Sequence, residues 1–168
     1  GGKGIIFNTD FTQGKTQIPI NGLIWMGSES FMQEQIESKL NEGFTCIKMK
    51  IGAIDFDKEF KILESLRARF SEDVLTVRVD ANGAFSFSEA LERLNQLSTL
   101  KIHSIEQPIK AGNWKEMAQL CSKTTLPIAL DEELIGIEDL NRKINLLETI
   151  QPQYIILKPS LHGGIIGC

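Results

Sequence analysis

The chain has 168 residues, 42% hydrophobic and 24% charged, with a formal net charge of -4, a composition that fits a folded globular domain and excludes overall disorder. Lysines are dispersed among the acids, so no basic nucleic-acid footprint and no polybasic membrane patch is present, and a small molecule is the expected partner. No run approaches the ~18 apolar residues of a membrane span, and the opening GGKGIIFNTDFTQGK has neither secretory nor transit character.

Residues 1–17 show no clear periodicity and are expected to be the tail of a preceding segment or a linker, leaving 18–168 as the folded domain. From Ile18 the text alternates between strand-like and helix-like segments. A first strand is predicted in IPINGLIW, then a helix from about Ser28 to Asn41, with Ser28 as its N-terminal signal and Gly43 as its stop. FTCIKMKI is the second strand. Its helix runs from about Asp55 to Phe70 and places Phe56, Phe60, Leu63 and Leu66 on one face. VLTVRVD is the third strand, and Ser86 with Glu89 forms a candidate capping box for a helix striped by Ala90, Leu91, Leu94 and Leu97. IHSIE, a helix near 113–123, PIAL, a helical stretch between about Ile137 and Leu147, and YIILK complete the series.

Strand–helix alternation of this kind predicts an α/β fold: a parallel sheet with helical crossovers, part of a (β/α) barrel of about six strands. A closed eight-stranded barrel typically takes about 250 residues, so the last strands are expected to be missing and two sheet edges open, to be covered by further residues or by a second copy in a homo-oligomer. Cys46, Cys121 and Cys168 are odd in number and widely spaced, which supports neither a disulfide framework nor a zinc pair and makes a reducing, cytoplasmic setting the expectation.

Asp80 in RVDANGAF, Glu106 in HSIEQP and Asp131 in IALDEEL each close an apolar run, at intervals of 26 and 25 residues. That spacing equals one strand, one helix and two connections, so each acid would end a successive strand at the face where barrel active sites assemble. Side chains alternate along a strand, so Lys48, Lys50, Asp80 and Lys158 share the inward parity, while Ile47, Met49, Val77 and Val79 point toward the helices. A single acid at a strand end is most often a turn residue or a helix cap. Three in register are not accounted for in that way. Carboxylates with no histidine or cysteine cluster beside them suit a hard cation, Mg²⁺ first and Mn²⁺ as its substitute. Such an ion would hold a substrate carboxylate and stabilise the charge formed when the α-proton leaves, with Lys48, Lys50 and Lys158 as basic groups whose pKa burial and neighbouring cations would lower. His103 falls on the outward parity, His162 lies in a glycine-rich loop, and both are read as structural. Trp25 and Trp114 are read as packing residues, and Gly163-Gly164 as a turn.

KMK on the second strand, VDANGAF on the third, IEQP on the fourth, LDEEL on the fifth and LKPS with HGG on the sixth resemble the enolase superfamily. Within it they are similar to the muconate-cycloisomerase-like branch, most closely its o-succinylbenzoate synthases. The resemblance covers roughly 18–168. It implies that Asp80, Glu106 and Asp131 ligate Mg²⁺, that Lys50 and Lys158 face each other across a small-molecule carboxylate, that Lys48 supports Lys50, and that Asn82 and Glu132 stand behind these groups as supporting partners. The implied activity is a metal-dependent carbon–oxygen lyase of menaquinone biosynthesis. A dipeptide or N-acylamino acid epimerase or racemase, or a muconate cycloisomerase, is the alternative from the same branch, and an inactive barrel fragment acting as a scaffold is the alternative from another class. The family's α+β capping domain is expected to be missing from this chain. Asp131-Glu132-Glu133 also departs from the family's D-E-S on the fifth strand.

Overall fold

Hydrogen-bonding side chains set where the helices begin. In the computed structural model, which describes residues 7–168, the Ser28 hydroxyl accepts from Phe31 N, the Asp55 carboxylate from Asp57 N and the Asp139 carboxylate from Arg142 N. Each side chain satisfies a backbone donor that the first helical turn leaves free. The elements in chain order are β1 (Gly22–Ile24), α1 (Glu29–Asn41), β2 (Cys46–Lys50), α2 (Phe56–Arg69), β3 (Thr76–Asp80), α3 (Phe87–Thr99), β4 (Ser104–Glu106), α4 (Trp114–Lys123), β5 (Ile128–Leu130), α5 (Leu140–Ile150), β6 (Tyr154–Ile155) and the single turn α6 (Gly164–Gly167). The strands form one parallel sheet in the order β1-β2-β3-β4-β5-β6. Among the described residues this is the predicted α/β alternation with both sheet edges open.

The alternation along the strands partitions the chemistry. Ile47, Met49, Val77 and Val79 are buried on the outer face with Met32, Ile36, Leu63, Leu66, Leu94 and Leu97 of the helices, forming one continuous core. Lys48 lies beside Arg78 in the register and Lys50 beside Asp80, which in turn pairs with Glu106. Glu106 is level with Ala129, so Asp131 stands two residues further on, just past the end of β5. No helix among the described residues is long and apolar enough to cross a membrane.

Several expectations need correction. β1 begins only at Gly22, and Ile18 and Ile20 before it are exposed. Ser86 is the N-cap of α3 but makes no side-chain capping bond; Glu89 pairs instead with Arg93 one turn on, so the capping box does not form. α5 starts at Leu140 rather than near Ile137, whose side chain is buried in the core; its hydrophobicity reports packing and not helix. β6 is two residues long and does not run through Lys158; its bonding to β5 ends with Ile156 N on Leu130 O at 2.8 Å, where β5 also ends. Ile155 and, just past the strand, Leu157 are exposed at this edge, where the alternation predicts a face covered by helices. Gly163-Gly164, read as a turn, leads directly into α6.

Candidate active site

β2 and β3 deliver the first half of the site. Because Lys50 and Asp80 are register partners on one face, the Lys50 ammonium meets Asp80 Oδ2 at 2.9 Å. It also donates to Asn82 Oδ1 at 2.6 Å, and Asn82 Nδ2 donates onward to Glu132 Oε1 at 2.9 Å. Asn82 has a φ of +46°, a conformation asparagine tolerates better than most residues, and its N–H closes back on Asp80 Oδ1 at 3.1 Å. Lys48, one layer deeper, bridges Glu106 Oε2 at 2.5 Å and Asp80 Oδ2 at 3.3 Å. At the far end of the row Lys158 donates to Asp131 Oδ2.

The three acids are buried, with Asp80 1%, Asp131 2% and Glu106 5% exposed. Burial pushes the Glu106 carboxyl above its ordinary range and the charges of Asp80 and Asp131 push the same way, against the pull of Lys48. Burial also disfavours the charge on Lys48. The hydrogen bond to Glu106 and the charges of Glu106 and Asp80 together outweigh it, so Lys48 titrates above the usual lysine range. Its partners thus favour the charged form of Lys48, opposite in direction to the lowering expected from burial.

Among the described residues no three of the His, Cys, Asp and Glu side chains are gathered closely enough to hold a metal ion. The acids stand in a row, each neutralised by an ammonium group. The donors nevertheless fit a hard cation: all are carboxylates, and Asp131 Oδ1 is buried without a hydrogen-bond partner, as is Glu132 Oε2.

The remaining singled-out residues divide. Trp25 is 57% exposed rather than packed, with the Lys50 ammonium 5.7 Å from its ring centre. Trp114 does pack against the core. His103 departs from the outward parity: it precedes β4, stacks on Tyr154 at 5.1 Å, and with Lys48, Arg78, Ser104 and Glu106 lines an inner-face cavity of about 440 Å³. Burial and the Arg78 charge lower its pKa. His162 is buried, and its Nδ1 takes the Lys158 N–H at 3.4 Å, while the buried Lys143 ammonium of α5 holds the His162 carbonyl at 2.9 Å. Two buried residues escaped sequence reading. Gln107 follows Glu106 directly in the IEQP motif, and Glu133, noticed only as a motif departure, accepts Gly112 N at 3.0 Å.

The turns that follow the strands interlock. Gly52, φ +98°, lies so near Ala84 that a Cβ built on it would come within 2.4 Å of the alanine methyl, and one built on Gly83, φ +77°, would come 3.0 Å from Lys110 Cα. Gly83 N and Phe85 N donate to the Gln107 and Pro108 carbonyls at 2.7 and 3.0 Å.

Comparison with known proteins places this architecture. The chain is 58% identical over 164 residues to an o-succinylbenzoate synthase of Desulfotalea psychrophila, covering 98% of this chain and 44% of that protein. The crystal structure of MenC from Desulfotalea psychrophila LSv54 superposes with a TM-score of 0.84 at 57% identity, over 95% of this chain and 44% of that one. An N-succinyl-L-Arg/Lys racemase of Bacillus cereus is 31% identical over 131 residues, 77% of this chain and 35% of the racemase. The chain thus spans less than half the length of these relatives. With the profile of the family described as Enolase C-terminal domain-like matching residues 31–168, this chain belongs to that family.

Proposed function

We propose that the chain carries the catalytic barrel portion of a Mg²⁺-dependent lyase that dehydrates a cyclohexadiene hydroxy-carboxylate to o-succinylbenzoate, in menaquinone biosynthesis in the cytoplasm. The observation that carries this reading is the placement of two ammonium groups at opposite ends of a buried carboxylate row, Lys50 on Asp80 and Lys158 on Asp131. The 58% identity to an o-succinylbenzoate synthase favours dehydration among the reactions such a pair can perform.

Asp80, Glu106 and Asp131 would hold the ion. Bound there, Mg²⁺ supplies a Lewis acid for the substrate carboxylate. Lys50, after giving up one proton to become the neutral amine, takes the proton α to the carboxylate, and the carbanion's charge spreads into the carboxylate as an enediolate. The Lys158 ammonium lies across the row and stabilises that charge. Lys50, now protonated, returns its proton to the departing hydroxyl, which leaves as water while the ring becomes aromatic. Lys48 stays charged and bridges Glu106 and Asp80, offsetting their mutual repulsion, and Asn82, braced by Glu132, aims Lys50.

A racemase or epimerase of N-acylated amino acids is the second reading. The same two lysines would serve as a two-base pair, and the 31% identity to an N-succinyl-L-Arg/Lys racemase favours it. A steady-state assay offering both substrate types separates them; α-proton exchange or epimerisation without dehydration would sink the lyase. Lys50→Ala should lower turnover by roughly 10²–10⁴-fold, the contribution typical of a general base, while Mg²⁺ affinity by calorimetry stays near that of the parent. A loss of affinity as large as that of Asp80→Ala would contradict the separate roles. Cation binding with no turnover of either substrate would leave the scaffold alternative.

A further inference from the structure

We infer that Gln107 is a positioning residue for Asp131, its side-chain amide fixing the turn that carries that carboxylate relative to Glu106. The inference rests on the reading that Glu106 and Asp131 share a cation.

Gln107 is fully buried and holds a φ of +41°, a left-handed conformation unusual for a residue other than glycine. Its backbone N–H donates to Ala129 O on β5 at 2.9 Å. Its side chain then bends over the end of β5, where Oε1 accepts from Asp131 N at 3.2 Å and from Glu133 N at 3.4 Å, and Nε2 donates to Ile109 O at 3.0 Å. One amide thereby ties the turn after β4 to the turn after β5, beside the two acids concerned. Among the described residues the Asp131 carboxylate has little else to orient it: Oδ2 meets only the long Lys158 side chain, and Oδ1 is buried without a partner. Its direction is therefore set by the backbone of the turn, closed by Leu134 N on Asp131 O at 3.0 Å and anchored by the Gln107 oxygen. Removing that oxygen leaves two N–H groups unsatisfied in a buried turn, which relaxes by rotating and takes Asp131 with it.

The test is Mn²⁺ binding, read from the free-ion paramagnetic resonance signal, for the parent protein, Gln107→Leu, Asp131→Asn and the double variant, with metal-free melting curves recorded alongside. Gln107→Leu should weaken Mn²⁺ roughly 10-fold or more, the usual effect of losing a group that orients a ligand. In the Asp131→Asn background it should cause about no further loss, because the two changes act on the same arm. If Gln107→Leu does not fold, Gln107→Met, unbranched and close in shape, carries the same expectations. Parent-like affinity in the folded variant, or a full additional loss in the Asp131→Asn background, would overturn the inference and leave the cation reading standing. A parent protein that binds no Mn²⁺ would refute the cation reading, and the inference would fall with it.

Discussion

Lys48 and Lys50 leave the same face of β2 two residues apart, yet their surroundings give them different work. Lys48 is wedged between Glu106 and Asp80, with its side chain 20% exposed. Replacing it by methionine strands the Glu106 carboxylate without its counter-charge, and the loss of one member of such a pair should cost on the order of 3 kcal/mol. In differential scanning calorimetry this would lower the melting temperature by roughly 5–10 °C. Adding Glu106→Gln should recover much of it; no recovery would mean that the ammonium stabilises by packing rather than by charge. The cysteines make a second contrast. Burial pushes the Cys121 thiol up to about 11, from an ordinary 9.0. Unfolded chains lose that proton first, so this group contributes stability below pH 9 that is lost progressively as the pH rises toward 11. With iodoacetamide at pH 8 the exposed Cys168 should label in the native protein and Cys121 only after denaturation; equal rates would contradict the buried placement.

At the scale of elements, the turn between β2 and α2 hangs on one acid. Glu59 is 1% exposed and reaches back from the first turn of α2 to accept Gly52 N with both oxygens, at 2.8 and 2.9 Å, and Ala53 N at 3.3 Å. Glu59→Ala should destabilise by about 2–4 kcal/mol, measured by urea unfolding, because the buried carboxylate side chain is lost and part-buried backbone donors lose their acceptor. A change below about 0.5 kcal/mol would mean that water replaces the carboxylate. Helical periodicity puts this acid on the buried face, three residues after Phe56 and four before Leu63, but its charge reads as surface. The same limit marks what was legible elsewhere. Strands with strict two-residue alternation, as in Cys46–Lys50 and Thr76–Asp80, declare both their element and the face each side chain takes, so the order of elements and the shared face of Lys50 and Asp80 could be read from the text, though not their pairing. Local chemistry that depends on partners distant in sequence could not. The Gln107 amide oxygen finds its donors only when β5 arrives beside β4, the stack of His103 on Tyr154 needs β6, and the exposure of Trp25 reflects how β1 ends. Lysine-neutralised carboxylates set out in a row, rather than gathered at one point, were likewise beyond what spacing can say.

For the whole molecule, the open sheet governs behaviour in solution. β1 and β6 each have one strand neighbour among the described residues, and Tyr154, Ile155 and Leu157 lie exposed at one of these edges. Unpaired strand edges with apolar side chains invite pairing with another chain. The 168-residue chain alone should therefore associate as concentration rises, measured by light scattering on a sizing column. Replacing Ile155 and Leu157 by lysine should suppress this. A parent chain that stays monomeric at high concentration would show that these edges are protected.

The crowding of Gly52 on Ala84 and of Gly83 on Lys110, with the Gly83 and Phe85 amides tied to the carbonyls of Gln107 and Pro108, makes three consecutive connections behave as a single hoop around the rim. A hoop of this kind cannot part at one link: displacing any one of the three drags its neighbours or breaks a buried bond. Variation that retunes this rim is thus confined to its side chains, since the backbone beneath has no slack to reshape.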